Sequence, residues 1–161
     1  LLDLYESCFE VNCLEEARRL ADAVLAGFSD EEEAGLCFTS AEHELIISRR
    51  KDPFDGAVPS PTGVMALNLL RLERLTDTAG YRQRAEGILR EVSSMLPRAP
   101  MGFGSSLLAL DFLLHPPVEL ALVGDLSDTV SAEFLAVHSG SSKGQATAFA
   151  TMSGCSAITR T

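Results

Sequence analysis

Between Val64 and Leu75 the chain reads Val-Met-Ala-Leu-Asn-Leu-Leu-Arg-Leu-Glu-Arg-Leu. At helical spacing this is a rod that is apolar on most sides, with a narrow polar strip at Asn68, Arg71 and Arg74. Such a rod is stable in water only when neighbours enclose it. Phe103 to Leu114 has the same character. The helical stretches around these two differ. From Leu14 to Phe28 one apolar stripe (Leu14, Ala17, Leu20, Ala21, Val24, Leu25, Phe28) faces a charged back. From Tyr81 to Leu96, Tyr81, Ala85, Ile88, Leu89, Val92 and Leu96 oppose Arg82, Glu86, Arg90 and Glu91. Enclosed and half-wet helices therefore alternate, joined by short loops. A four-helix bundle makes all its helices half-wet. Alternation predicts concentric layers instead, an inner ring of helices inside an outer one.

The remaining stretches add detail. Residues 1–9 read as a helix with Leu1, Leu4, Tyr5 and Cys8 on one face, and Asn12 with Glu15 reads as a capping box for the next. The opening residues resemble the middle of a helix, so a fragment of a longer protein is expected. Gly35 to Thr39 and Leu45 to Ser48 are strand-like and fit a small hairpin. Pro116-Pro117 ends the helical run. Val118 to Gly124 then reads as a strand and Thr129 to Val137 as a short helix, a βα unit. Residues 139–161 are rich in Ser, Gly, Ala and Thr without a period, and a loose tail is expected there.

Composition excludes some classes. Net charge is -10 over 161 residues, so the basic face that nucleic acid requires is missing. No run is long and apolar enough to span a bilayer, so no membrane role is expected. Cys8, Cys13, Cys37 and Cys155 form no CxxC and no zinc-like pattern with the histidines. Buried packing in a reduced, cytoplasmic setting is the expectation, with no metal and no cofactor.

Polar chemistry gathers in one place, the run Arg49-Arg50-Lys51-Asp52-Pro53-Phe54-Asp55-Gly56-Ala57-Val58-Pro59-Ser60-Pro61-Thr62-Gly63. Its prolines forbid helix, and Gly56 and Gly63 allow backbone angles that other residues resist. Ser60 or Thr62 caps the enclosed helix that follows. Elsewhere the signals are weaker. His43-Glu44 reads as a surface pair before a proton-transfer dyad. His115 suits a helix C-terminus. Ser105 and Ser106 sit in no nucleophile elbow. Gly124-Asp125 reads as an ordinary turn rather than an anion site, since GxGxxG is absent.

The pattern Arg49-x-Lys51-Asp52-x-x-Asp55-Gly56-Ala57-x-Pro59-Ser60, followed by Ala66-Leu67-Asn68-Leu69-Leu70-Arg71-Leu72, closely resembles the YyaL-type thioredoxin-domain-containing proteins, a family with a spermatogenesis-associated member in animals. Leu1 to Glu6, Ala109 to Leu114 and the strand ending Val123-Gly124 resemble it in the same order, so that the likeness covers about residues 1–138. It implies a mainly α fold: residues 1–115 as the C-terminal part of an α/α toroid of the six-hairpin glycosidase type, 116–138 as a βα appendage, 139–161 as a tail. It also implies a thioredoxin-like domain elsewhere as a partner. The family runs Pro-Ser-Gly-Asn-Ser after its Asp-Gly, and Pro61, Thr62 and Gly63 stand there instead, so any contact made by that Asn is changed or lost.

Toroids of this kind ring a central cleft with the N-termini of their inner helices, and they resemble those of sugar 2-epimerases. Two readings of the loop follow. In the first, a sugar-like small molecule binds the cleft. Asp52 and Asp55 are then the polar and catalytic carboxylates, Arg49 and Lys51 the cationic contacts, and Phe54 or Tyr5 an apolar wall. In the second, Arg49 and Lys51 pair with Asp52 and Asp55 to fix an irregular loop of a catalytically silent scaffold. Exposed pairs contribute only ~0–1 kcal/mol. On the first reading Asp55→Ala abolishes ligand binding and leaves the melting temperature nearly unchanged, whereas loss of the fold with no ligand effect favours the second.

Overall fold

The computed structural model describes residues 1–30, 35–37, 51, 53–115, 118–123, 129, 133 and 146–151. The protein is mainly helical. Among the described residues five α-helices occur: α1 (Leu2–Cys8), α2 (Val11–Phe28), α3 (Pro61–Thr76), α4 (Ala79–Val92) and α5 (Gly104–Leu114). A 3-10 turn at Pro100–Gly102 leads into α5. Strands β1 (Val118–Val123) and β2 (Ala146–Thr151) pair in parallel, Val118 opposite Ala146 and Val123 opposite Thr151.

Helix α3 is the centre. It packs along both α4 and α5, while α4 and α5 touch each other little. Its Met65, Ala66, Leu69, Leu70, Leu72 and Leu75 are buried, as the near-continuous apolar pattern requires. Each large side chain among them stabilises the fold by about 1.5–3 kcal/mol. Arg71, on the polar strip, reaches α1, where its Nη2 lies 2.7 Å from Asp3 Oδ1 and 3.0 Å from Glu6 Oε2. Helix α4 buries Tyr81, Ala85, Ile88, Leu89 and Val92, the face its periodicity marked out.

Two corners set the helix order. After α1, Phe9 adopts a left-handed conformation (φ 56°) and its N–H closes on Tyr5 O at 2.7 Å. The chain turns so tightly there that α2 starts at Val11, with Glu10 at the cap. Asn12 therefore lies inside the helix and does not cap it. After α3, Asp77 takes the same conformation (φ 54°), its N–H bonding Glu73 O at 2.8 Å.

Three further expectations are corrected. On α1 the buried residues are Leu2 and Tyr5, while Leu4 and Cys8 are exposed, so the inward face is rotated from the one inferred. Helix α5 is enclosed on one side only. Ala109 and Ser106 are buried against α3, but Leu108 and Leu114 are each 63% exposed. The tail is not loose throughout, because residues 146–151 form β2; Thr and Phe favour a strand but the alanines between them do not, so the stretch carries little strand signal. Of the expected hairpin, Leu36 forms an antiparallel bridge with Ser29. Residues 38–48 of that hairpin, with His43 and Glu44, lie outside the described residues, as do Gly124-Asp125 and Cys155.

Candidate functional site

The loop ahead of α3 is built around one carboxylate. Asp55 Oδ1 accepts the Ser60 N–H at 2.6 Å, and Oδ2 accepts the Ser105 N–H at 2.7 Å. Ser60 is the N-cap of α3 and Ser105 the second residue of α5. A helix N-terminus leaves its first amides without intrahelical partners. Neither N-cap side chain supplies an acceptor here. Asp55 thus serves two helices at once, and its negative charge suits the positive end of both. The loop is held in turn by the Asp55 N–H, which donates to Gly102 O at 2.8 Å.

The two helix ends meet closely. A Cβ on Gly63 would stand 2.7 Å from Ser105 Cβ and Ser106 N, and 2.8 Å from Ser105 C. Gly63 is needed for this close approach, and not for the backbone freedom expected of it. Ser60, Thr62 and Ser106 are buried in the seam, and Ser106 Oγ has no hydrogen-bond partner among the described residues. Helices that share their first turns and then pack along one another run in the same direction. On the outer side of the seam the Phe54 ring lies 4.7 Å from that of Phe103, tilted by 45°. Phe103 is fully buried and Phe54 is 49% exposed.

Asp55 is half-buried, and its carboxyl acidity is set by competing effects. Burial pushes the pKa up. Amide bonds from Ser60, Ser105 and Gly104, with the Ser105 hydroxyl, outweigh this and hold it below the ordinary carboxylate value. It is an acceptor for fixed donors, with no cation bonded to it among the described residues.

The other expected site residues are placed elsewhere. Lys51 Nζ lies 2.9 Å from Asp30 Oδ2 and 3.0 Å from Glu91 Oε1, tying the end of α2 to the end of α4. Tyr5 is buried under α1, edge-on to Phe9 at 6.2 Å, with its hydroxyl pKa raised by burial and then by Glu6. It offers no open wall. Arg49 and Asp52 lie outside the described residues. The structure therefore brings Phe54 and Asp55 together with Ser60 and Gly102–Ser106, and leaves Lys51 and Tyr5 to other contacts. The role of Ser105 was missed. Its signal was present: Gly104-Ser105-Ser106 opens an apolar helix with no acceptor of its own.

His115 caps the end of α5, with Nδ1 2.9 Å from Asp111 Oδ1. Among the described residues no three His, Cys, Asp or Glu side chains are grouped to hold a metal ion. No helix of theirs is long and apolar enough to cross a membrane.

Over 126 residues, 78% of the chain, the sequence is 34% identical to spermatogenesis-associated protein 20 of Rattus norvegicus. The chain has homologues of that name. Those of Homo sapiens and Mus musculus are 33% and 32% identical over the same length. The chain spans 16% of the length of these relatives. No family model matches it.

Proposed function

We propose that this chain is the last part of a six-hairpin α/α toroid in a YyaL-type protein, whose thioredoxin-like domain lies elsewhere, and that the toroid holds a sugar-like ligand against the Phe54–Asp55 loop. One observation carries the reading: Asp55 binds the N-terminal amides of α3 and α5 together. Two helices running the same way, with α4 as the return between them, are the repeating unit of such a toroid. Their paired N-termini are where its cleft opens. Phe54, half exposed on buried Phe103, supplies an apolar face of the kind that sugars stack on. Asp55 acts here as a positioning residue. The strands β1 and β2, with helical Thr129 and Glu133 between them, form the βα appendage, and the cytoplasm is its proposed setting.

The second reading, a silent scaffold serving the thioredoxin-like domain or a protein partner, draws on the same carboxylate. Both of its oxygens are occupied by protein donors. Saturation-transfer NMR with mono- and disaccharides separates the two. The toroid reading expects saturable binding that Phe54→Ala abolishes while the chain stays folded. Absence of any sugar signal from the folded wild type would leave the scaffold standing.

A further inference from the structure

Away from that loop, an open groove of about 680 Å3 lies between α2 and the start of α4. Its size falls within the roughly 300–1,000 Å3 of small-molecule sites. Arg18 and Arg84 line it with Asp22, Tyr81, Thr78 and Leu25. This is unusual in a chain of net charge -10. Arg19, Arg71, Arg74 and Arg82 all lie against carboxylates. Arg84 is half-buried, yet its one described partner is the neutral hydroxyl of Ser29. Arg18 has no carboxylate partner among the described residues either. A half-buried guanidinium with no carboxylate partner among the described residues is one that an anion arriving from solvent would stabilise.

The one acid among the described lining residues is already engaged. The Tyr81 hydroxyl donates to Asp22 Oδ1 at 2.7 Å. Two guanidiniums against one hydrogen-bonded carboxylate leave the described lining net positive. Thr78, Gly80 and Tyr81, at the start of α4, line the same side. Planar guanidinium forks match the oxygens of a phosphate. Leu25 and the Tyr81 ring give an organic group something to lie against.

We propose that this groove binds a small phosphate monoester, its phosphoryl group held by Arg18 and Arg84 and its organic part packed on Leu25 and Tyr81. The site shares no lining residue with the Phe54–Asp55 loop, so it stands independently of the sugar reading above.

The test is titration of the whole chain at low ionic strength with phenyl phosphate and with inorganic phosphate, followed by calorimetry and amide NMR. Phenyl phosphate should bind saturably and more tightly than inorganic phosphate, shifting amides of residues 78–81. Arg84→Gln should weaken it by about tenfold or more, the effect of losing one charge-assisted bond, with partial recovery in Arg84→Lys. Arg18 is exposed, so Arg18→Gln keeps the fold and should weaken binding similarly. Arg90→Gln, a substitution outside the groove, should change nothing. Equal affinity for the two probes would overturn the organic half of the proposal. No saturable binding, or an Arg18→Gln protein that binds like wild type, would overturn all of it.

Discussion

Gly63→Ala tests how the two helix ends are held. Alanine is favoured over glycine inside a helix by about 1 kcal/mol, so local propensity alone predicts a stabilised α3. The seam predicts the reverse. The new Cβ would lie 2.7 Å from Ser106 N and 2.8 Å from Ser105 C. These are backbone atoms, so no side-chain rotation relieves the clash; α5 must back away by several tenths of an ångström. Overpacking of this kind costs roughly 1–3 kcal/mol. The movement also stretches the 2.7 Å bond from Ser105 to Asp55, and hydrogen bonds to charged groups contribute about 1.5–3 kcal/mol. Set against the propensity gain, the net loss should be about 1–3 kcal/mol. Gly80→Ala is the matched control: its Cβ meets nothing within 4 Å, and a gain of about 0.4–1 kcal/mol is expected. Urea unfolding, monitored by far-ultraviolet circular dichroism, should move the two midpoints in opposite directions. A Gly63→Ala protein as stable as Gly80→Ala would show that α3 and α5 do not meet as described.

Asp55→Asn should cost about 1–2 kcal/mol at neutral pH, because it replaces one acceptor oxygen at a doubly used helix cap with a donor. Since folding depresses the Asp55 pKa, its contribution is complete above the unfolded value of about 3.9 and fades as pH falls through the lower folded value. Unfolding curves for wild type and Asp55→Asn should then converge in strong acid; a gap that persists there would mean the carboxylate charge is irrelevant. Asp77→Gly should raise stability by about 0.5–1 kcal/mol in thermal unfolding, by relieving a left-handed non-glycine residue and removing a negative charge from the end of α3. Lys51→Met should lower it by about 1–3 kcal/mol, since Asp30 and Glu91 would then face each other part-buried without their shared cation. A Lys51→Met midpoint equal to wild type would reduce that bridge to a surface pair.

What could be read in advance depended on whether a pattern has a phase. Helix α4 alternates cleanly between wet and dry, and its buried face of Tyr81, Ala85, Ile88, Leu89 and Val92 follows directly. Helix α5 is apolar nearly all round. Its periodicity therefore cannot tell Ala109, fully buried, from its neighbour Leu108, mostly exposed. The loop shows a different limit. Adjacent charges suggested ion pairs within Arg49–Asp55. Lys51 instead bonds Glu91, forty residues on, and Asp55 bonds Ser105, fifty residues on. Helix-end amides are the same in every sequence. A carboxylate that seeks them has no fixed partner residue type, whereas a salt bridge does, so even the Gly104-Ser105-Ser106 opening of α5 does not name Asp55 as its acceptor. The Gly63 contact is hidden for the same reason, since its partner is backbone.

This distinction bears on what the Asp55 loop can do chemically. A general acid or base works best with a pKa near the operating pH, which for a carboxylate means burial without compensating donors. Asp55 has the opposite environment. Its two oxygens face the Ser60 and Ser105 amides, and its pKa is pulled down. Protonating it would weaken its hold on both helix ends, so the energy that would tune it for proton transfer is already committed to the fold. Its leverage on function is geometric. Displacing it shifts α3 and α5 relative to each other, and with them the Phe54 ring that sits on Phe103 at the head of α5. A ligand held at this loop would register such a shift in its affinity, with no change in the pH dependence that a proton-transferring carboxylate would impose.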